Sequence, residues 1–191
     1  MQIVFATANK NKIKEVKLMV PETIQIRSLE DIGCFEEIPE THFTIEENSM
    51  QKAQYVFEKY GCNCFSEDSG LGVLALNGEP GVFSAHYSGS RDAAENINLV
   101  LLNLRNVEDR RAEFKTVFTL AIENSYNQFT GIVTGKIIES ALGTNGFGYD
   151  PVFIPDGAAL TFAQMTAEEK TKFSHRAKAF KLLTEFLYKN F

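Results

Sequence analysis

The apolar and polar positions fall into short blocks that alternate between strand and helix spacing. Gln2 to Ala6 is an apolar run of strand length, and Asn9 to Val20 follows with Ile13, Val16 and Val20 at helical intervals, ended by Pro21. Ile24 to Ser28 returns to extended character, and the polar, acidic stretch from Glu36 to Thr44 reads as a loop. Thr44-x-x-Glu47 has the form of a capping box, in which each side chain satisfies the other residue's open N–H. It opens a helix to Tyr60 with Ala53, Val56, Phe57 and Tyr60 on one face, and Gly61 is its natural terminator. Cys62 to Ser66 predicts a short strand ending in acids, and Leu71 to Leu76 a second, closed by the turn pair Asn77-Gly78. Ser90 to Leu104 carries a helical stripe of Ile97, Val100, Leu101 and Leu104. Glu113 to Ile122 and Phe129 to Ile138 alternate with period two, joined through Glu123 to Asn127 as a hairpin. Beyond the glycine-rich loop from Gly143 to Asp150, Thr166-x-x-Glu169 caps a short helix and Ser174 starts the last one, to Tyr188. Strands alternating with helices plus an antiparallel pair predict a mixed α/β fold. With no repeat and no linker, residues 1–191 read as one domain.

Composition narrows this picture. A hydrophobic fraction of 44%, with 12% aromatic residues and 16 Phe, is ample for a buried core and excludes disorder. The 19 Lys and Arg against 25 Asp and Glu give a net charge of −6, which repels a polyanion, so no nucleic-acid polymer is expected as partner. One small anionic ligand at a local basic spot is compatible with that sign. No apolar run approaches the roughly 20 residues of a membrane-spanning helix, and no membrane partner is expected. The opening Met1 to Ala6 is too short for a secretory leader, so a cytoplasmic protein is expected. Cys34, Cys62 and Cys64 are odd in number and fit a reducing compartment. Cys62, Cys64 and His42 lack both a fourth ligand and zinc-site spacing, so buried or half-buried thiols are the reading.

Four constellations have chemistry in them. Thr7-Ala8-Asn9-Lys10-Asn11-Lys12 lies where a strand hands over to a helix, and the open N–H groups and positive dipole end there suit phosphate; an ordinary capped helix is the alternative. Glu67-Asp68-Ser69-Gly70 puts adjacent carboxylates at the end of a strand, before a glycine, an arrangement suited to a hard cation or equally to a polar turn. Gly143 to Pro151 combines glycines with Phe147 and Tyr149, either of which would stack on a flat ring; Gly148 and Asp150 sit beside them. Lys170, His175 and Arg176 gather cations around a helix start, where they oppose the dipole unless an anion or a carbonyl group offsets them. Gly131-x-x-x-Gly135-Lys136 is one residue short of a phosphate-binding loop, lacks the following hydroxyl and lies in a strand pattern.

Together these segments resemble the inosine/xanthosine triphosphate pyrophosphatases, the Ham1-like proteins. The resemblance runs through Thr7-x-Asn9-x-x-Lys12, Glu47-Asn48-x-x-x-Lys52-Ala53, Asp68-Ser69-Gly70, Pro80 to Gly89, Gly146 to Pro151 and Ser174-His175-Arg176, essentially the whole chain in order. It implies an elongated mixed sheet with flanking helices, two lobes around a central cleft. It also implies a Mg²⁺-dependent homodimeric hydrolase that splits ITP, dITP or XTP into monophosphate and pyrophosphate. On that resemblance Thr7 to Lys12 and Lys52 cradle the phosphates, and Asp68 is general base and metal ligand with Glu67 beside it. Glu40 is the second metal ligand, and Ser69, Phe147, Gly148, Tyr149, Asp150, Lys170, His175 and Arg176 line the substrate. A group from Arg176, or a backbone N–H near His175, would donate to the purine O6 and be left unpaired by adenine, a large penalty when buried.

Departures from the family pattern are Ala8 where glycine is common, Glu67 where aspartate is common, and His86 for an arginine. Ala8 resists a positive φ, and the longer Glu67 arm shifts that carboxylate away from direct ligation. Two other functions remain open at this point: a Maf-like pyrophosphatase of pyrimidine nucleotides, and a nucleotide-binding protein without turnover. A phosphatase releasing orthophosphate would need an Asp-x-Asp nucleophile motif that the chain lacks.

Overall fold

The computed structural model describes residues 1–191. In chain order the elements are β1 (Gln2–Ala6), α1 (Lys10–Lys17), β2 (Gln25–Arg27), α2 (Ile45–Tyr60), β3 (Cys64–Val73), β4 (Pro80–Gly81) and α3 (Ala93–Asn103), then β5 (Arg111–Ile122), β6 (Ser125–Ile137), β7 (Phe153–Pro155), α4 (Ala167–Phe173) and α5 (His175–Asn190). The seven strands form one mixed sheet in the order β2-β1-β3-β5-β6-β7, with β4 paired to β3. β1 runs parallel to both β2 and β3, in the registers Ile3 to Ile26 and Phe5 to Phe65. β6 and β7 are antiparallel, with Lys136 opposite Ile154.

The helix ends follow the local chemistry. Thr44 caps α2 by accepting from the Glu47 N–H, and Gly61 closes it in the left-handed region at φ 62°. The Thr166 and Glu169 capping box opens α4 in both directions. Three expectations change. α1 stops at Lys17, ahead of Pro21, through tight turns that bond Leu18 to Glu15 and Met19 to Val16. α3 begins at Ala93, because Asp92 accepts from the Glu95 N–H and so caps the helix after Ser90. The hairpin turn is shorter than expected: Glu123 and Asn124 take positive φ (49° and 59°), and β6 resumes at Ser125.

The largest departure is β3. The strand expected to end at Ser66 does not stop there but continues through Glu67, Asp68, Ser69 and Gly70 to Val73. Leu74 to Leu76 forms a single 3₁₀ turn instead of the end of a second strand. Gly70 is needed inside that strand because a Cβ there would sit 2.1 Å from the carbonyl oxygen of Gly81 on β4.

The chain divides into two compact units. The first comprises Met1–Asp68, Thr116–Gly131 and Arg176–Phe191. Its core gathers Phe5, Phe65, Phe118 and Phe180 with Val16, Leu183 and Leu187, and a second cluster holds Val4, Ala53, Val56, Cys34 and Cys64. Phe5 and Phe65, on neighbouring strands, stack with ring centroids 4.6 Å apart, and burying each such side chain contributes roughly 1.5–3 kcal/mol. The second unit comprises Ser69–Lys115 and Ile132–His175. Its core is built on Leu71, Val100, Leu104, Phe114, Val152, Phe153 and Phe162.

Candidate functional site

In the first unit, β1 delivers the chain to Thr7 and the start of α1. The Asn9 side chain caps this helix, accepting from the N–H groups of Asn11 (3.0 Å) and Lys12 (3.2 Å), while Thr7 Oγ1 accepts from Asn9 N at 3.2 Å. Ala8 lies outside the left-handed region, so this turn does not require glycine. Lys10 and Asn11 are exposed, whereas Lys12 points inward to within 3.6 Å of Glu67 Oε1. Burial is the largest influence on Lys12 and lowers its pKa, only partly countered by Glu67.

Lys52 and Asp68 meet from α2 and β3, Nζ to Oδ1 at 3.2 Å, and Glu40 from the preceding loop closes on the same ammonium. Burial works against the charge on Lys52, yet the two carboxylates outweigh it and raise its pKa. Burial pushes the Asp68 carboxyl above the usual carboxylate range, Glu40 pushes the same way, and the ammoniums of Lys52 and Lys12 oppose the shift. The loop carrying Glu40 is anchored on both sides: the N–H groups of Thr41 and His42 bond to Gln51 and Asn48 of α2, and Glu36 accepts from Tyr55, Lys59 and Tyr60.

Glu67, one residue from Asp68, points to the opposite face of β3 and is fully buried. It accepts from Arg176 Nε (3.1 Å) and Nη2 (2.9 Å), with Thr116 Oγ1 at 3.4 Å. Burial alone would raise its pKa, but Arg176 and Lys12 hold it well below the ordinary carboxylate value. The third guanidinium nitrogen of Arg176 donates to Glu15 on α1. The expected offset for a cation at the start of α5 is therefore supplied by two carboxylates of the chain itself. Arg176 is 1% exposed with all three nitrogens held by carboxylates, which argues against its donating to a purine O6.

The second unit holds the remaining residues. Asp150 is buried, and its Oδ2 accepts from Lys170 Nζ (2.5 Å) and from Phe147 N (2.8 Å). Gly146, at φ 71°, makes room for that carboxylate: a Cβ would lie 2.0 Å from Asp150 Oδ2. Lys170 Nζ stands 5.0 Å over the Phe147 ring and 5.3 Å over that of Phe162. Phe147 and Gly148 are partly exposed, while Tyr149 is buried and its hydroxyl donates to the carbonyl of Ser84 at 3.0 Å. Of the two rings expected as stacking platforms, Tyr149 is thus a core residue. His175 lies parallel to Phe114, centroids 4.7 Å apart, buried beside Ser174. Ser69 continues β3 beyond Asp68.

Sequence reasoning overlooked Glu15, Phe114 and Thr116, which hold Arg176, His175 and Glu67 respectively. Glu15 had a signal, since it sits three residues after Lys12 on one helix and shares its face. Thr116 and Phe114 come from a strand far away in sequence and had none.

The sequence model of the Ham1 family matches residues 3–186. The dITP/XTP pyrophosphatase of Flavobacterium psychrophilum is 52% identical over 191 residues, covering 100% of both chains. That of Porphyromonas gingivalis is 42% identical, covering 97% of each. Among solved structures, the Ham1 protein of Staphylococcus aureus superposes with a TM-score of 0.91 at 36% identity over 100% of both chains. The HAM1 protein of Coxiella burnetii gives 0.91 at 33% identity over 99% of each.

Proposed function

The chain belongs to the Ham1 family, and from that premise we propose that it hydrolyses deaminated purine nucleoside triphosphates (ITP, dITP and XTP) to the monophosphate and pyrophosphate. The observation that carries the chemistry is a buried carboxylate, Asp68, pushed upward in pKa while in contact with the Lys52 ammonium. A base tuned upward takes a proton from water more readily, and cations beside it stabilise the negative charge that builds on a triphosphate. Asp68 is the general base. Glu67 is too firmly ionised for that work, and its part is to hold Arg176 and Lys12.

The donor set also suits a divalent ion. Asp68 and Glu40 already bring two hard carboxylate oxygens to one cation, the Lys52 ammonium, and Mg²⁺ binds through one or two carboxylates plus phosphate oxygens. When bound, Mg²⁺ would neutralise charge on the phosphates and polarise the phosphorus under attack. Asp68 and Glu40 are its ligands in this reading. Lys12 and Lys52 orient the phosphates, with Thr7, Ala8, Asn9, Lys10 and Asn11 forming the surrounding turn, held in shape by the Asn9 side chain on the Asn11 and Lys12 N–H groups. Ser69 completes the strand segment beside Asp68.

In the second unit Phe147 is the stacking ring, fixed by Asp150 and overlain by Lys170. Recognition of O6 falls to backbone N–H groups near His175, whose ring is held by Phe114. Gly148 allows close approach and Tyr149 supports the loop from beneath. The active form is a homodimer in the cytoplasm, and no helix is long and apolar enough to cross a membrane.

Product identity tests the reading. With Mg²⁺ and a panel of ITP, XTP, dITP, GTP, ATP and TTP, pyrophosphate is expected from the first three. Asp68→Asn should lower that turnover by at least about a hundredfold while remaining folded, as expected for loss of a general base. Orthophosphate as product, base-indifferent turnover, or a pyrimidine preference would overturn it.

A further inference from the structure

Three buried hydroxyls behind the Lys52–Asp68 pair take no part in the chemistry described above. Ser49, Ser66 and Thr119 are each 0% exposed. Ser49 precedes Lys52 by three residues on α2 and Ser66 precedes Asp68 by two on β3, so each pair shares one face of its element. The Ser49 and Ser66 hydroxyl oxygens lie 3.2 Å apart, and one ordering of the hydroxyl hydrogens gives each its own acceptor. Ser66 Oγ donates to the Ser49 carbonyl (2.5 Å), and Ser49 Oγ donates to the Val117 carbonyl (2.9 Å). In that ordering Thr119 Oγ1 donates to Ser49 Oγ (2.8 Å), and itself accepts from Gln128 Nε2 (3.1 Å). The same Gln128 amide donates to the Glu46 carbonyl in the first turn of α2 (2.9 Å). Each hydroxyl hydrogen has its own acceptor, and the chain of bonds ties α2 to β3, β5 and β6.

An apolar contact would serve stability as well. Ala53 and Val56 pack α2 that way one turn further on. A satisfied polar network differs from apolar packing in fixing one register, because any slide leaves a buried donor without its acceptor. We propose that Ser49, Ser66 and Thr119 are positioning residues that set the approach of Lys52 to Asp68, and so the rate of the hydrolysis, without touching substrate. This rests on the roles given to Lys52 and Asp68 above.

Steady-state kinetics of Ser49→Ala, Thr119→Val and Thr119→Ser test it, with Val56→Ala as a control on the same helix and Tm measured for all. Ser49→Ala and Thr119→Val are expected to lower kcat about tenfold with KM changed less than about twofold, the scale of a small misplacement of reacting groups. Thr119→Ser keeps the donor and should keep kcat within about twofold, although it loses a methyl group. Val56→Ala should lower Tm and leave kcat within the same limit. Unchanged kcat in Thr119→Val, equal losses in Thr119→Ser, or an equal loss in Val56→Ala would each overturn the proposal. Should Ser49→Ala fail to fold, the isosteric Thr119→Val against Thr119→Ser decides alone. A crystal structure of Thr119→Val gives a readout independent of turnover, with the Lys52–Asp68 contact expected to open beyond 3.2 Å. Wild-type pyrophosphate release judges the proposed function, and that separation judges the positioning, so failure of one is distinguishable from failure of the other.

Discussion

Arg176 lies in the first turn of α5, where a cation opposes the helix dipole, and it is the largest fully buried side chain of the molecule. Two carboxylates make that position tenable. Glu67 accepts from Nε and Nη2, and Glu15 from Nη1, so every nitrogen of the planar fork meets a carboxylate. An ammonium on a flexible stem cannot reproduce that fork, and a shortened cation would leave one buried carboxylate without its partner. Arg176→Lys is therefore expected to lose about 3 kcal/mol of stability, the scale for breaking a buried pair, measured by urea unfolding at pH 7. Arg111→Lys provides the contrast. Arg111 pairs with Asp109 at 2.7 Å, but its side chain is 72% exposed, and the change should leave the urea midpoint unmoved. At this scale the sequence revealed which residue types matter but not which partners they keep. Arg176 was legible as a cation needing an anion. That the anions are Glu67, far away along the chain, and Glu15 was not, because no local pattern encodes a contact between distant segments.

Elements were legible where their ends are written locally. The Thr44 and Thr166 caps and the Gly61 terminator each act within a few residues, and α2 and α4 begin where those residues put them. β3 was not legible, since Ser66-Glu67-Asp68-Ser69-Gly70 has the composition of a turn. It is a strand because its polar side chains are satisfied from outside: Ser66 by α2, Glu67 by α5 and α1, Asp68 by α2. Consequently the two carboxylates face opposite ways, and one strand separates the proposed base, Asp68, from Glu67, the partner of Arg176. The glycines of β3 make this reading testable. A Cβ at Gly70 would stand 2.1 Å from the Gly81 carbonyl oxygen, whereas at Gly72 the nearest atom lies 3.5 Å away, an ordinary contact. Gly70→Ala should cost about 3 kcal/mol as β4 is forced off β3, and Gly72→Ala less than about 1 kcal/mol. Calorimetric Tm values for the two variants, measured side by side, check the difference. Equal shifts would mean that β4 does not lie against Gly70 as described.

For the molecule as a whole, a net charge of −6 says little about where acid will act, because it does not distinguish buried carboxylates from those in solvent. Stability follows pH only through groups whose affinity for protons changes on folding. Glu67 is the foremost of these. Its folded pKa lies below the unfolded value of about 4.3, so the folded chain releases this proton more readily. The stabilisation it supplies is complete above that unfolded value and drains away as pH falls from there towards the folded one. Asp68 acts with the opposite sign, since burial raises its folded pKa and the folded state gains slightly as this carboxyl takes up a proton. Glu67 dominates because protonating it takes from Lys12 its ion-pair partner and leaves the fully buried Arg176 with Glu15 alone, whereas protonating Asp68 leaves Lys52 with Glu40. Urea unfolding from pH 7 to pH 3 is therefore expected to show nearly constant stability down to about pH 5, then a steep loss. Glu67→Gln isolates the cause. It should be less stable than the wild type by about 3 kcal/mol at pH 7 and lose much less on acidification, so that the two curves converge towards pH 3. Parallel curves would mean that the acid transition belongs to other carboxylates, and that Glu67 binds its proton equally well in the folded and unfolded chains.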